Sequence, residues 1–298
     1  MTAPAATTPP ADASVPGWRG VITLRPGAVA FTGVAGATSA HAHAAVQILL
    51  VTGGRVELSD AHGHRRPVRA AIIPTRASHT LHADPDATAT MIYLDPAHAA
   101  ARRLTAHLDD GSDLDHDHVD AWTAAAHAGL PSAGHADHEA GALAALLDEG
   151  TARTRHPVLR TATELLPQLL IGPVRLTGLA DAVGLSASRL GHLFTTELGL
   201  PFPAYLRWVR LRRAVELAQH GASLTQAAHG AGFADSSHLT RVCREMFGLP
   251  PSHLLHAIGP HPADTLATGR PPNSTAATRA GLANRDSGSV QAPPPRSS

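Results

Sequence analysis

Two groups of polar residues in the carboxyl-terminal half have the type and spacing to read nucleic acid. Ser188, Gly191, His192 and Thr195 fall at helical intervals opposite an apolar set, Leu190, Leu193 and Phe194. Ser236, Ser237, Thr240 and Arg241 lie away from, or on the border of, a second apolar stripe formed by Leu239, Val242, Cys243 and Met246. Hydroxyls, imidazole and guanidinium on one helix face are groups that hydrogen-bond base edges in a major groove, while amides at a helix start reach phosphate. Ser186 and Arg189 join the expected DNA-contacting set. Elsewhere no Ser-His-Asp set, phosphate-cradling glycine loop or useful carboxylate pair stands out, so catalysis is not expected. The run from Asp113 to Asp120 alternates acids with His116 and His118; it has no fixed ligand spacing and reads as a solvated loop.

The elements that must present those faces are duplicated. At an offset of 49 residues Gly199 meets Gly248, Pro201 meets Pro250 and Leu190 meets Leu239. In the first copy Thr177 is expected to cap a short helix with Leu179, Ala180 and Val183 inward. Gly184-Leu185 then turns the chain, and Ser186 caps a helix that stops at Gly199. In the second copy Ser223 caps a helix with Leu224, Ala227, Ala228 and Ala231 inward, Gly232-Phe233 turns, and Asp235 caps the next. Two short helices joined by a tight glycine turn make a helix-turn-helix unit. Between the copies, Phe202 to Gln219 reads as one helix with Tyr205, Leu206, Val209, Ala214 and Leu217 for packing. Its Arg207, Arg210, Arg212 and Arg213 are left for solvent or phosphate. A rise of about 1.5 Å per residue makes it roughly 25 Å long, compatible with two recognition helices entering major grooves about 34 Å apart.

Charge is partitioned the same way. Residues 1–156 hold 11 Arg against 16 acids, residues 157–257 hold 9 against 6, and the remainder 4 against 2, which sums to 24 of each. A basic reader behind an acidic front half is the pattern of a nucleic-acid-binding module attached to something else. One cysteine, Cys243, excludes an intrachain disulfide. With no leader pattern and no apolar stretch near the ~20 residues of a membrane span, the expectation is a cytoplasmic protein without membrane contact.

Ahead of the repeat, Val21–Leu24, Val46–Val51, Arg55–Leu58, Ala71–Ile73 and Thr90–Leu94 are short apolar or β-branched runs cut by Gly and Pro. They predict an antiparallel sandwich or barrel, with Gly53-Gly54 as a tight hairpin turn. Ala-rich helical stretches follow around Ala97–Leu108, Val119–Ala128 and His138–Leu147. There Leu143, Leu146 and Leu147 form an apolar stripe suited to packing or to a dimer seam. The fold class is therefore α+β. The expected division is a disordered tail at 1–16, a sensor barrel at 17–96, a helical connector with a dimerisation role at 97–156, a DNA-binding domain at 157–257, and a second disordered tail at 258–298.

The segment from Gly232 through Pro251 resembles the second helix-turn-helix of AraC/XylS-type transcription regulators, and Leu179 through Phe194 resembles the first. The resemblance covers Val158 to His256, with both copies in order and spacing. It implies base-facing positions at Ser188, Gly191 and His192 in the first unit and at Ser236, Ser237, Thr240 and Arg241 in the second. Because Gly191 has no side chain, and family members often carry Arg near position 192, the first unit is expected to contribute less base-specific energy.

In the front half, His41-Ala-His43 with Gln47 and Gly54 resembles the first cupin motif, and Pro74-x-Arg76-x-x-His79 the second, with Arg in place of the usual Gly. The likeness implies a cupin-like barrel in which His41, His43, Gln47 and His79 converge, as an effector pocket or as ligands of a divalent metal. Gln47 departs from the usual carboxylate, a weaker and neutral ligand. The resulting expectation is a ligand-controlled regulator, acting on double-stranded promoter DNA as a homodimer, with RNA polymerase as a further partner if it activates. No cofactor is expected. The alternative is a metal-dependent cupin enzyme with an appended helix-turn-helix module.

Overall fold

A computed structural model describes residues 17–109, 114–130 and 156–252. The stripe Leu143, Leu146, Leu147 and both expected tails, 1–16 and 258–298, lie outside the described residues. Eight strands come first: β1 (Arg19–Arg25), β2 (Ala28–Val34), β3 (Val46–Gly53), β4 (Val56–Asp60), β5 (Arg65–Val68), β6 (Ala70–Ile73), β7 (His79–Ala83) and β8 (Thr88–Leu94). They pair antiparallel in two sheets, ordered β1-β2-β8-β3-β6 and β5-β4-β7. The antiparallel sandwich or barrel expected from the sequence takes the form of these two sheets, which do not close into one continuous barrel, with a bridge between His41 and His79 outside the named strands.

Hydrophobic pattern explains the layering. In β3, Val46, Gln47, Ile48 and Leu49 are all buried, so both faces of this central strand are covered. β4 alternates instead, Val56, Leu58 and Asp60 buried between half-buried Glu57 and Ser59, as a strand with one wet face does. Two helices, α1 (Ala99–Asp109) and α2 (Val119–Gly129), pack behind. Trp122 of α2 is fully buried, and its indole N–H donates to His116 O at 2.6 Å.

Gly53-Gly54 does not close a hairpin. β3 pairs with β6 and β8 while β4 pairs with β5 and β7, so the chain there crosses from one sheet to the other. Gly54 is still required: its φ is +71°, and a Cβ would stand 2.8 Å from Ala87 Cα. Strands β5 and β7 were not legible in the sequence, since Arg65-Arg-Pro-Val and His79-Thr-Leu-His-Ala have only one strong β-former each, and β2 was not singled out although Val29, Phe31, Thr32 and Val34 favour a strand.

The carboxyl-terminal part is helical: α3 (Pro157–Leu165), a 3₁₀ turn (Leu166–Leu169), α4 (Leu176–Ala182), α5 (Ala187–Leu198), α6 (Phe202–Gln219), α7 (Leu224–Gly230) and α8 (Ser236–Phe247). Among the described residues no helix is long and apolar enough to cross a membrane.

A buried carboxylate ties the two parts together. Asp95, just after β8, accepts from Tyr205 Oη (3.1 Å), Trp208 Nε1 (3.2 Å) and Arg212 NH1 (3.3 Å), all on α6, and from Ala97 N at 2.9 Å. Burial and the neighbouring Asp95 charge push the Tyr205 phenol well above its ordinary pKa, so it stays a donor. At the far end of α6, Gln219 Nε2 donates to Ile22 O at 2.8 Å.

Candidate nucleic-acid interface and the buried histidine cluster

Local chemistry builds each helix-turn-helix unit. Ser186 Oγ accepts from Arg189 N at 3.3 Å at the start of α5, and Asp235 Oδ1 from His238 N at 2.7 Å at the start of α8. Ser223 and Gln226 form a reciprocal capping box on α7. Thr177 is not a cap: α4 begins at Leu176 after Arg175, which makes no side-chain cap bond, so Thr177 lies within the first turn. Gly184 and Gly232 make the tight turns at φ +71° and +81°. Gly199 and Gly248 end α5 and α8 in the left-handed region, at φ +67° and +65°.

The faces expected to meet DNA are open. Ser186, Ser188, Arg189, His192 and Thr195 are exposed on or beside α5, over a core of Leu190 and Phe194. Gly191 is half-buried, and a Cβ there would lie 3.2 Å from the Leu176 side chain. On α8, Ser237, Arg241 and Arg244 are exposed, Ser236 and Thr240 half-buried, and Leu239, Val242, Cys243 and Met246 buried as the stripe requires. Thr240 Oγ1 donates back to Ser236 O at 2.8 Å, which engages its proton within the helix and leaves the oxygen as an acceptor. Burial pushes the Cys243 thiol up to about 12, so it acts as an apolar core group.

Three of the four linker arginines have acidic partners within the chain. Arg212 binds Asp95, Arg207 binds Glu245 of α8 at 3.1 Å, and Arg213 binds Glu216 at 2.7 Å. Arg210 NH2 reaches Gly172 O at 3.5 Å. Arg207 thus ties α6 to α8 and Arg212 ties it to the front domain, while Arg213 pairs within α6 itself. Trp208 and Asp95, the centre of that arrangement, were not singled out in the sequence; a lone Asp after a strand carries no pattern that marks it.

In the front half, His41, His43, Gln47 and His79 do come together, all buried. Each imidazole donates from Nδ1 to a carbonyl two residues away: His41 to Ser39 O (2.9 Å), His43 to Ala45 O (2.7 Å) and His79 to Ala77 O (3.0 Å). Burial lowers all three pKa values, that of His41 to about 4 with help from His43, so the rings are neutral at pH 7. In a neutral ring protonated at Nδ1, Nε2 is a bare acceptor. The amide of Gln47 lies between two such acceptors, its Oε1 position 2.8 Å from His43 Nε2 and 3.1 Å from His79 Nε2. Turned over, its NH2 group supplies one N–H to each ring. Turned that way, the Gln47 amide answers from within the chain the same Nε2 lone pairs that a metal would take.

The cluster sits beside the end of α8. Ser39 donates from both N (3.3 Å) and Oγ (3.0 Å) to Gly248 O, and Ala42 N donates to Glu245 O at 3.1 Å. The Tyr93 and Phe247 rings meet edge to face at 4.9 Å, and Tyr93 meets His43 at 5.4 Å. The contact is close enough that a Cβ on Gly248 would lie 2.6 Å from Ser39 O and 2.9 Å from His41 Nδ1.

Residues 179–257 match the family described as helix-turn-helix domain. The HTH-type transcriptional regulator GbdR of Pseudomonas aeruginosa is 33% identical over 99 residues, 33% of this chain and 27% of that one. An uncharacterized HTH-type transcriptional regulator of Escherichia coli K12, YpdC, is 32% identical over 80 residues, 26% of this chain and 28% of its own. The chain thus spans about a quarter of the length of these curated relatives. Among solved structures, ToxT from Vibrio cholerae aligns over 77% of this chain and 97% of its own at 11% identity, with a TM-score of 0.45. The carboxyl-terminal segment is accordingly a helix-turn-helix domain of the AraC type, the kind found in transcription regulators.

Proposed function

We propose that the whole chain is a sequence-specific DNA-binding transcription regulator whose front module, residues 17–96, senses a small molecule. Residues 97–156 connect it to a DNA-binding domain at 157–257. The observation that carries this reading is the pair of open polar faces, on α5 and on α8, held by one 18-residue helix. Ser186, Ser188, Arg189 and His192 are the contacts offered by the first face, and Ser236, Ser237, Thr240 and Arg241 by the second. Selection of bound sequences from random duplexes should return a bipartite site with half-sites about one helical turn apart. Attachment that is indiscriminate and only salt-sensitive would overturn the reading.

The seam at Ser39, Ala42 and Gly248 supports control by an effector. A molecule that rearranged the histidine cluster would disturb the loop between β2 and β3, which is hydrogen-bonded directly to the end of the second recognition helix. It can shift DNA affinity only by as much as it prefers one arrangement over the other. Action as a homodimer in the cytoplasm, at promoter DNA and with RNA polymerase where the output is activation, belongs to the same proposal. The cupin-enzyme alternative has less support, because the Gln47 amide occupies the position between His43 and His79.

A further inference from the structure

The turn after β4 and the start of α2 bring together three ligating side chains that the DNA-binding reading does not use. Asp60, His64 and His118 each offer a ligand atom, and the three lie within 4.8 Å of one another. The Asp60 side chain is fully buried at the end of β4, whereas that of His64, on the following turn, is 44% exposed. His118 caps α2, and its ring faces His64 with centroids 4.2 Å apart and planes 33° from parallel. His118 and Val119, near the end of the acid and histidine run that reads as a solvated loop, thus lie against a buried carboxylate.

The donor chemistry is poised for a cation. Asp60 Oδ1 accepts from His62 N (2.9 Å) and His64 N (3.0 Å), and Oδ2 from His64 Nδ1 (2.9 Å) and Val119 N (3.2 Å). Burial works against that charge, but the bonds from Val119 and His64 outweigh it and hold the carboxyl below its ordinary pKa. His118 Nδ1 accepts from Asp120 N at 3.1 Å, so it presents a lone pair and carries its proton on Nε2.

We propose that Asp60, His64 and His118 form a binding site for a divalent transition metal of the zinc class, which clips the β4–β5 turn to α2. Two imidazole nitrogens and one carboxylate oxygen, with water in the fourth place, are a donor set that suits Zn²⁺. Ligand atoms around a tetrahedral ion stand roughly 3.3 Å apart, given metal–ligand distances of about 2.0–2.2 Å. Closing from 4.8 Å needs a shift of about 1.5 Å, which the exposed His64 on its turn can make. The ion takes the place of the proton between Asp60 and His64, and that proton moves to His64 Nε2. The amide that His118 releases, Asp120 N, turns to water. The positive end of α2 opposes a cation there. The Asp60 carboxylate counters it, while the nearby Asp120 carboxylate is paired with Arg66.

The test is titration of the metal-stripped full chain with Co²⁺, read by its visible absorption, followed by displacement with Zn²⁺. The expected result is one Co²⁺ per chain with tetrahedral bands and a Kd of about 10 µM or below, displaced by equimolar Zn²⁺. His64→Ala and His118→Ala should each weaken binding at least about tenfold, while His41→Ala and His79→Ala leave it unchanged. Both tested histidines are partly exposed, so unaltered circular dichroism separates ligand loss from unfolding. Absence of a tetrahedral Co²⁺ spectrum, or unchanged binding in the His64→Ala/His118→Ala double variant, overturns the proposal. So does loss on His41→Ala with no loss on His118→Ala, which would move the ion to the front-domain histidine cluster. Because DNA takes no part in the titration, its outcome is independent of the regulatory reading.

Discussion

The two helix-turn-helix units share a local plan but differ in what surrounds them. In the first, α4 starts without a side-chain cap, α5 carries a glycine at position 191 toward Leu176, and the helix end at Gly199 has only Thr75 Oγ1, 3.5 Å from where a Cβ would be. In the second, α7 has a full capping box, and α8 ends against the front domain through Ser39, Ala42 and Tyr93 and is held to α6 by the Arg207–Glu245 pair. A duplicated sequence pattern has thus become one loosely framed unit and one that is fastened to the front domain. Equivalent substitutions in the two copies should therefore give unequal results, and the inequality measures the fastening.

The largest effects test what the units still share. Leu190→Ala and Leu239→Ala each empty a buried position and should cost about 2–5 kcal/mol of stability by denaturant unfolding. A much smaller loss at either would remove that helix from the common plan.

Acid should act through the side that holds the second unit. His41 has its pKa lowered from 6.5 to about 4, and its Nδ1 donates to Ser39 O, next to the bonds to Gly248. The unfolded chain binds the proton first as pH falls. The stabilisation is therefore complete above about pH 6.5 and is lost progressively toward pH 4, on the order of 3 kcal/mol from this group. Urea unfolding between pH 7 and 4.5 should show that slope, and His41→Gln should reduce it to the part that His43 and His79 contribute.

The paired glycines sharpen the contrast directly. Both are left-handed, so Gly199→Ala should cost about 1–2 kcal/mol for backbone strain alone. Gly248→Ala adds a backbone contact of 2.6 Å to Ser39 O and should cost clearly more, with the seam opened. Equal melting temperatures for the two variants would mean that the seam contributes nothing.

On DNA, Arg241→Ala should weaken specific binding by about 1–3 kcal/mol and relax preference at one base pair. His192→Ala in the less richly furnished first unit should cost less, and the reverse order in gel-shift titrations would invert the comparison. Smallest of all, Ser223→Ala should lose about 1 kcal/mol of stability by breaking the capping box. Thr177→Ala, inside α4 and bonded to no cap, should stay within about 0.5 kcal/mol.

Much of the framework that presents the proposed DNA-facing residues was legible because its determinants are local. Caps at Ser186, Ser223 and Asp235, turns at Gly184 and Gly232, and apolar stripes at helical spacing need only neighbouring residues to specify them. Thr177 misled because a hydroxyl near a helix start resembles a cap whether or not the chain turns there. Gly53-Gly54 misled because positive φ marks a sharp bend without saying which strand comes next to which.

By itself the sequence determined the duplication, the faces of α5 and α8 and the convergence of four front-domain residues through their motif. Each of these depends on spacing along the chain, which periodic backbone geometry converts into direction. Tertiary structure alone decided that Asp95 gathers Tyr205, Trp208 and Arg212, that the Gln47 amide stands between two imidazoles, and that Asp60 meets His118 across 58 residues. Those contacts join segments far apart in sequence, where packing and the need to satisfy buried polar groups choose the partner.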